Sequence, residues 1–302
     1  MNKKTSLEKY LKSKLSASSV KIYLFEINHF IRFLGKEKAA TASYQDVQKY
    51  MNWLRDNYDN VNTINLILYA IKHYFFYLIE VKKRKDHPCR FLNIKDRTKH
   101  QYQLQDFLKT KQLQKILESL NERKERYPIL GIRNQVVMSL LVYQALRVQE
   151  MCALEVKNIN LKKATIDIQP TPKTNARTLH LKPEQIMLIH CYLHEVRSKL
   201  LKVKTKKLII TKRGTAEKGE GIHYLVSTFR PLFLQKKLTP TTIRQSVIAN
   251  LLASGNDLRI VQVFAGHKNP STTEKYRQTN FEKLRSSIQK YHPLAKANQH
   301  PH

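Results

Sequence analysis

The chain has 302 residues and carries 55 lysines and arginines against 23 acidic residues, which gives a formal net charge of +32 at pH 7. Such an excess implies a polyanionic partner, with nucleic acid ahead of an anionic membrane surface. The length suits two domains or one large one. No apolar run approaches the ~18–20 residues that span a bilayer, and no apolar signal core follows the charged start, which argues against secretion.

The three cysteines are odd in number and widely spaced, at Cys89, Cys152 and Cys191. This pattern indicates neither a disulfide framework nor a zinc site. With only 7 glycines, the chain also has no phosphate-cradling glycine loop. We therefore expect a reducing, intracellular compartment, no metal and no cofactor.

Residues 1–95 are predicted to form a small helical bundle. Apolar residues recur there at spacings of three and four, the pattern of a helix with one buried face. Ser16 offers a capping hydroxyl just before the first stripe. The three stripes are Val20, Tyr23, Leu24, Ile27, Phe30, Ile31 and Leu34; Val47, Tyr50, Met51 and Leu54; and Ile64, Ile67, Leu68, Ile71, Tyr74, Phe75 and Leu78.

A linker is predicted next. Pro88 disfavours helical geometry in the residue before it, and residues 92–106 are polar. We place the linker at 96–109 and a second domain at 110–302. This domain is predicted to begin with helices near residues 111–120 and 131–145.

Residues 164–181 differ from their surroundings, because they alternate as strands do around a turn-rich segment at 170–176. We interpret them as a β-hairpin. Helical patterns return at 183–200 and 241–253, after which Gly255 ends one helix and Asp257 caps the next. The predicted fold is mainly α, with a helical N-terminal domain and a mainly α C-terminal domain that holds a small β-hairpin or sheet.

Some residues of the C-terminal domain suit phosphodiester chemistry. The guanidinium of Arg147, placed directly after an apolar helix, could grip two phosphate oxygens at once. Glu150, three residues later, could orient it. Taken singly, each candidate has an ordinary structural explanation: a surface salt bridge, a helix-face cation, a structural turn, a core tyrosine or a solvated lysine. The candidates are Arg147, Arg244, His267, Tyr276 and Lys173.

The order and spacing of these residues resemble the tyrosine recombinase (phage integrase-like) family. That family has an arginine in a Gly-Leu-Arg-x-x-Glu-like segment, matched by Ala145 to Glu150, and a β-hairpin lysine, matched by Lys173. Its second arginine, matched by Arg244, precedes a Leu-Leu-x-x-Gly run. Its Leu-Gly-His segment is matched by Ala265-Gly266-His267, and its nucleophile, nine residues after that histidine, by Tyr276.

The resemblance implies a site-specific recombinase that acts on double-stranded DNA as a tetramer, without metal or cofactor. Arg147, Arg244 and His267 would neutralise the phosphate, with Glu150 in support. Tyr276 would attack it to give a 3′-phosphotyrosine, and Lys173 would protonate the leaving 5′-oxygen. The N-terminal domain resembles the family's core-binding (SAM-like) domain. The expected role is integration, transposition or inversion of a mobile element, in a cytoplasmic, nucleoid-associated bacterial protein.

A C-terminal apolar stripe, Phe281, Leu284 and Ile288, would dock either on a neighbouring protomer, as in the family, or on its own domain. The main departure from the family is Thr241, which stands where the first histidine of a His-x-x-Arg segment is usual. Threonine can donate a hydrogen bond to phosphate but is no general base near neutral pH. One alternative, a catalytically degenerate DNA-binding relative, therefore stays open. A second alternative is a type IB topoisomerase-like enzyme, which shares much of the same chemistry.

Overall fold

A computed structural model describes residues 6–94 and 107–277 of the chain. The chain divides into two compact units, residues 1–101 and 102–302. The predicted linker at 96–109 lies for the most part outside the described residues, as does the predicted C-terminal stripe. Among the helices that the structure describes, none has the length and apolar character needed to cross a bilayer.

The first unit is helical, and the three predicted stripes form the buried sides of its longer helices. The hydroxyl of Ser16 accepts a hydrogen bond from the backbone N–H of Ser19, which caps α2 as expected. Ile27, Phe30 and Ile67 lie at the centre, where α2 and α5 pack along each other. The helices are α1 (Leu7–Lys14), α2 (Ala17–Leu34), α3 (Lys36–Thr41), α4 (Tyr44–Asn57) and α5 (Val61–Glu80).

The second unit is built around α7, whose residues Val136 to Val142 are all buried. Helix α7 packs on α6, α9 and α12, and its last turn leads directly into the segment of Arg147. The helices are α6 (Thr110–Glu122), α7 (Gly131–Tyr143), α8 (Val148–Ala153), α9 (Pro183–Cys191), α10 (Arg197–Leu200), α11 (Glu220–Ser227), α12 (Pro240–Ala253), α13 (Leu258–Ala265) and α14 (Pro270–Arg277). A π-helical turn, Tyr192–Val196, joins α9 to α10, and short 3-10 turns lie at Pro128–Leu130, Val156–Asn158 and Arg230–Phe233.

The predicted hairpin is confirmed and is part of a three-stranded antiparallel sheet in the order β1 (Ile159–Asn160), β2 (Thr165–Ile168), β3 (Arg177–His180). Ile166 pairs with Leu179, and Ile168 pairs with Arg177. Strand β1 was not predicted, because two residues are too few to show an alternating pattern.

Helix α11 was also not predicted. Gly219 precedes it and Gly221 lies in its first turn, and glycine lowers helix propensity. A side-chain cap compensates, because the Glu217 carboxylate accepts hydrogen bonds from the N–H groups of Gly219 (2.8 Å) and Gly221 (3.1 Å). The same carboxylate is fixed by Arg133 of α7 at 2.6 Å. This cap depends on a residue 84 positions away, so the local sequence does not reveal it.

Candidate active site

Arg147 stands at the N-cap of α8, where the chain turns sharply out of α7. The turn requires a left-handed backbone at Ala145, whose φ is +50°. A side chain in that region costs roughly 1–2 kcal/mol, so the surrounding packing must hold it there. The side chain of Arg147 is 31% exposed, whereas those of Glu150, Arg177 and Arg244 are 7% exposed or less.

Glu150 is the anion of the cluster, and its side chain is 1% exposed. Its carboxylate accepts a hydrogen bond from the backbone N–H of Arg147 (2.9 Å) and lies 3.3 Å from the Nη1 of that residue. The predicted orienting contact is therefore present. Burial by itself would raise the pKa of Glu150, but hydrogen bonding and charge from Arg177, the Arg147 N–H and the charge of Arg244 lower it to about 2.

Arg177 is the main partner of Glu150 and was not among the predicted site residues. It donates from Nη1 and Nη2 to the two carboxylate oxygens, both at 2.9 Å, and its side chain is 2% exposed. A signal for it does exist in the sequence. In β3, Arg177 shares the buried face with Leu179, and a charged residue at an inward strand position needs a buried partner.

Arg244, on α12, is buried across from Arg147. Its Nη1 donates to the carbonyl of Ala145, and its Nη2 donates to the carbonyl of Ala265 at 2.6 Å. The guanidinium therefore ties the Arg147 turn to the end of α13. Burial, followed by the charge of Arg147, lowers the pKa of Arg244 to about 9, which leaves it a cation at neutral pH.

His267 lies one residue beyond the left-handed Gly266 that ends α13. Its Nε2 is 3.1 Å from Nη2 of Arg244, and its Nδ1 is 2.9 Å from Oγ1 of Thr273. Because an arginine can only donate, Nε2 accepts and the ring proton lies on Nδ1, which donates to Thr273. Burial, and then the charges of Arg244 and Arg147, lower the pKa of His267 to about 3, so it is neutral.

Tyr276, on α14, lies beside the charged cluster of arginines and His267, and its ring packs into an apolar cluster. Its ring centroid is 6.4 Å from that of His267, with the ring planes 16° apart, and the residue is 6% exposed. It packs with Phe107 and with the buried residues Ile248, Leu252, Val261 and Ala265. The charge of Tyr276 acts on Arg244 and raises the pKa of that arginine.

The hairpin tip that carries Lys173 is attached to the turn formed by Gly266 and His267, the histidine turn. Thr174 forms an isolated β-bridge with His267, and the N–H of Asn175 donates to the carbonyl of Gly266 at 3.1 Å. Lys173 is exposed at this tip. Thr241 is also exposed, one turn before Arg244 on α12. The structure thus gathers Arg147, Glu150, Arg244, His267 and Tyr276 directly, and brings in Lys173 through its neighbours.

Two family models match the chain. The model described as "Phage integrase family" matches residues 106–283, more than half of the chain and all of the cluster described above. The model described as "Phage integrase, N-terminal SAM-like domain" matches residues 4–84, which include the helices of the first unit.

Among curated proteins, the chain is similar to "Tyrosine recombinase XerD" of Staphylococcus haemolyticus, at 25% identity over 96% of this chain and 99% of that one. Among solved structures it is similar to the XerH site-specific recombinase bound to difH substrate, with a TM-score of 0.68 at 20% identity over 89% of this chain and 78% of that one. It is also similar to the Tn1549 transposon integrase in complex with transposon right end DNA, with a TM-score of 0.66 at 16% identity over 96% and 99%.

Proposed function

The chain belongs to the phage integrase family of tyrosine recombinases, which are DNA strand transferases, and from that premise we propose that it cuts and rejoins DNA at specific sites through a 3′-phosphotyrosine. The observation that carries the proposal is the charge of the buried cluster. Arg147, Arg177 and Arg244 face the single carboxylate of Glu150, which leaves a net charge of +2 beside a tyrosine. Such preorganised charge suits a phosphoryl group that gains negative charge in its transition state.

The proposed reaction is an in-line displacement. The phenolic oxygen of Tyr276 forms a bond to phosphorus and loses its proton, while the bond to the 5′-oxygen breaks. Lys173, exposed at the hairpin tip, donates a proton to that leaving oxygen. The phosphotyrosine keeps the energy of the phosphodiester, so attack by another strand's 5′-hydroxyl reverses the steps and joins two different strands.

His267 contacts the phosphate only in a protonated state that bound DNA induces. In the arrangement described above its Nε2 accepts from Arg244, so it cannot also donate to phosphate. A phosphate anion placed among the arginines raises the pKa of His267 by offsetting their charge. The protonated ring then donates from Nε2 to a non-bridging oxygen, while Nδ1 keeps its bond to Thr273.

The phenolic proton has an unusual destination in this chain. Thr241 occupies the position where the family has a histidine, and it cannot act as a general base near neutral pH. In the DNA-bound state described above, His267 is already protonated and donates from both ring nitrogens, so it cannot accept the phenolic proton either. We propose that water takes the proton, which makes cleavage slower than with the usual histidine.

A trapping experiment tests the proposed function. Binding sites are first selected from a random DNA library at low salt, because phosphate contacts make binding strongly salt-dependent. The selected site is then nicked next to the cleavage position, so that a short strand is lost and religation fails. We expect an adduct that resists detergent, a free 5′-hydroxyl on the released strand, and phosphate on Tyr276 in peptide mass spectra.

Matched variants complete this experiment. Tyr276→Phe should bind the DNA and form no adduct, whereas Tyr224→Phe, at an exposed tyrosine of α11, should react as wild type does. A wild-type protein that binds the selected site but never forms the adduct would instead identify a degenerate DNA-binding relative. Relaxation of supercoiled plasmid without sequence preference would favour topoisomerase-like activity.

We further propose a tetramer on DNA, held by the C-terminal segment of each protomer. An apolar groove of about 370 Å³ lies between α6, α7, α12 and α13, and is lined by Leu113, Val142, Leu251, Ile260 and Phe264 among others. Ile260 is 65% exposed at its rim. The predicted stripe of Phe281, Leu284 and Ile288 has the apolar character to fill this groove on a neighbouring protomer.

Two exposed residues of α13 test this assembly. Ile260→Asp changes the groove, whereas Val263→Asp changes an equally accessible residue that does not line it. We expect mass photometry of protein on two-site DNA to show tetramers for wild type and Val263→Asp, and smaller complexes for Ile260→Asp. If the stripe docks on its own protomer instead, Ile260→Asp should lower the melting temperature of the monomer and leave the assembly unchanged.

The biological role that we propose is integration, transposition or inversion of a mobile element in the bacterial cytoplasm. The curated relatives named tyrosine recombinases come from bacteria. The DNA that flanks the gene tests this role, because inverted repeats that the protein binds and cleaves there would define the element.

A further inference from the structure

Arg177 lies where three parts of the site meet. It makes the bidentate ion pair with Glu150, which supports Arg147. It begins β3, the strand that leaves the Lys173 hairpin. Its guanidinium also presses on the histidine turn, since a Cβ at Gly266 would come within 2.6 Å of its Nη1.

Resting on the proposed function, we propose that Arg177 is a positioning residue for strand cleavage: it occupies Glu150 and so prevents this carboxylate from drawing Arg147 and Arg244 away from the phosphate. Glu150 has oxygens within 3.3 Å of Nη1 of Arg147 and 3.9 Å of Nη1 of Arg244. With Arg177 in place, each carboxylate oxygen already has a short, charge-assisted bond, and these two longer contacts remain secondary.

Without Arg177, Glu150 would compete with the phosphate for Arg147 and Arg244, because a buried, unpaired charge is costly. A carboxylate that loses its partner in a water-poor interior must find another cation or take up a proton. The nearest cations to Glu150 are Arg147 and Arg244, which are the groups that the phosphate requires. Removing Arg177 therefore redirects both arginines inward, and a misplacement of about 1 Å at a reacting centre lowers a rate by roughly 100-fold.

A purely structural role makes a different prediction. The hairpin tip is already held to the histidine turn by the Thr174 bridge and the Asn175 N–H. If Arg177 only strengthened that attachment, its loss would be felt whether or not residue 150 carried a charge. The positioning role requires that the charge of Glu150 be present for the loss to matter.

The test is a double-mutant cycle. Arg177→Met is made in the wild type and in Glu150→Gln, and single-turnover cleavage of the nicked substrate is measured at saturating protein. In the wild-type background we expect a roughly 100-fold slower rate with DNA affinity changed much less. In the Glu150→Gln background we expect Arg177→Met to change the rate little. Arg177→Lys, which keeps a cation near Glu150, should cleave faster than Arg177→Met.

Equal slowing by Arg177→Met in both backgrounds would overturn the positioning role, and so would an unchanged rate in the wild-type background. A crystal structure of Arg177→Met gives a readout independent of cleavage: the 3.9 Å separation between Glu150 and Arg244 should shorten to hydrogen-bond length. An unchanged separation would also overturn the role. If wild type forms no adduct, the proposed function fails, and this structure still decides the placement of the arginines.

Discussion

Adding a single methyl group at Gly266 separates backbone strain from the contact with Arg177. Gly266 has φ +67°, and an added Cβ would lie 2.6 Å from Nη1 and 3.1 Å from Cζ of Arg177. Gly255 has φ +85°, yet an added Cβ there meets nothing within 4 Å. Both substitutions place alanine at a left-handed φ, which costs a similar amount of backbone strain, and both change the entropy of the unfolded chain in the same way.

The expected magnitudes follow from these two sites. Gly255→Ala should cost about 1–2 kcal/mol of unfolding free energy through backbone strain alone. Gly266→Ala should cost about 1–3 kcal/mol more, because Arg177 is fixed by both Glu150 oxygens and cannot move aside without breaking them. The difference between the two variants is the cost of the clash between the added methyl group at residue 266 and Arg177.

Urea denaturation followed by two probes measures this difference. Trp53, the only tryptophan, lies in the first unit, so its fluorescence reports that unit alone, while far-ultraviolet circular dichroism reports both. We expect both variants to leave the fluorescence transition unchanged. Gly266→Ala should also cleave slowly at saturating DNA, while Gly255→Ala cleaves as wild type does. Equal destabilisation by the two variants would refute the reasoning, because Arg177 would then not resist the added methyl.

Three further predictions concern protons. His267 has a folded pKa of about 3 against an ordinary 6.5, so the unfolded chain binds a proton first as pH falls, and stability should decline below pH 6.5. His267 contributes at most about 1.4 kcal/mol per pH unit to this slope between pH 6.5 and 4.5, above the range of Glu150. The slope should be smaller by that contribution in His267→Gln, whereas His73 and His87, whose pKa values burial also lowers, contribute in both proteins. A wild-type slope equal to that of the variant in urea titrations would contradict it. Thr241→His should raise the single-turnover cleavage rate, by up to roughly 100-fold, since it supplies the missing base; an unchanged rate would mean that proton removal from Tyr276 does not limit cleavage. Lys173→Ala should cleave ordinary DNA slowly but DNA with sulfur at the 5′-bridging position nearly normally, because a thiolate leaves without a proton; equal slowing on both substrates would argue against the role of Lys173 as proton donor.

The sequence by itself determined the elements whose signals are local. Periodic apolar stripes predicted α2, α4 and α5, and single capping residues such as Ser16 and Asp257 predicted where helices begin. It also singled out residues that the structure brings together, because their order and spacing resemble the motifs of the tyrosine recombinase family even though each has an ordinary explanation alone. These residues are Arg147, Glu150, Arg244, His267 and Tyr276.

Only the tertiary structure decided what these residues contact. It paired Glu150 with Arg177, which is 27 positions away in the sequence. It also set the tautomer of His267 through Arg244 and placed Tyr276 in an apolar cluster with Phe107. It also revealed α11, whose cap depends on Arg133. The physical reason is the same in each case: a buried charge or ring is stabilised by partners distant in the chain. The local sequence can show that a partner is needed, as at the inward strand position of Arg177, but not which residue it is.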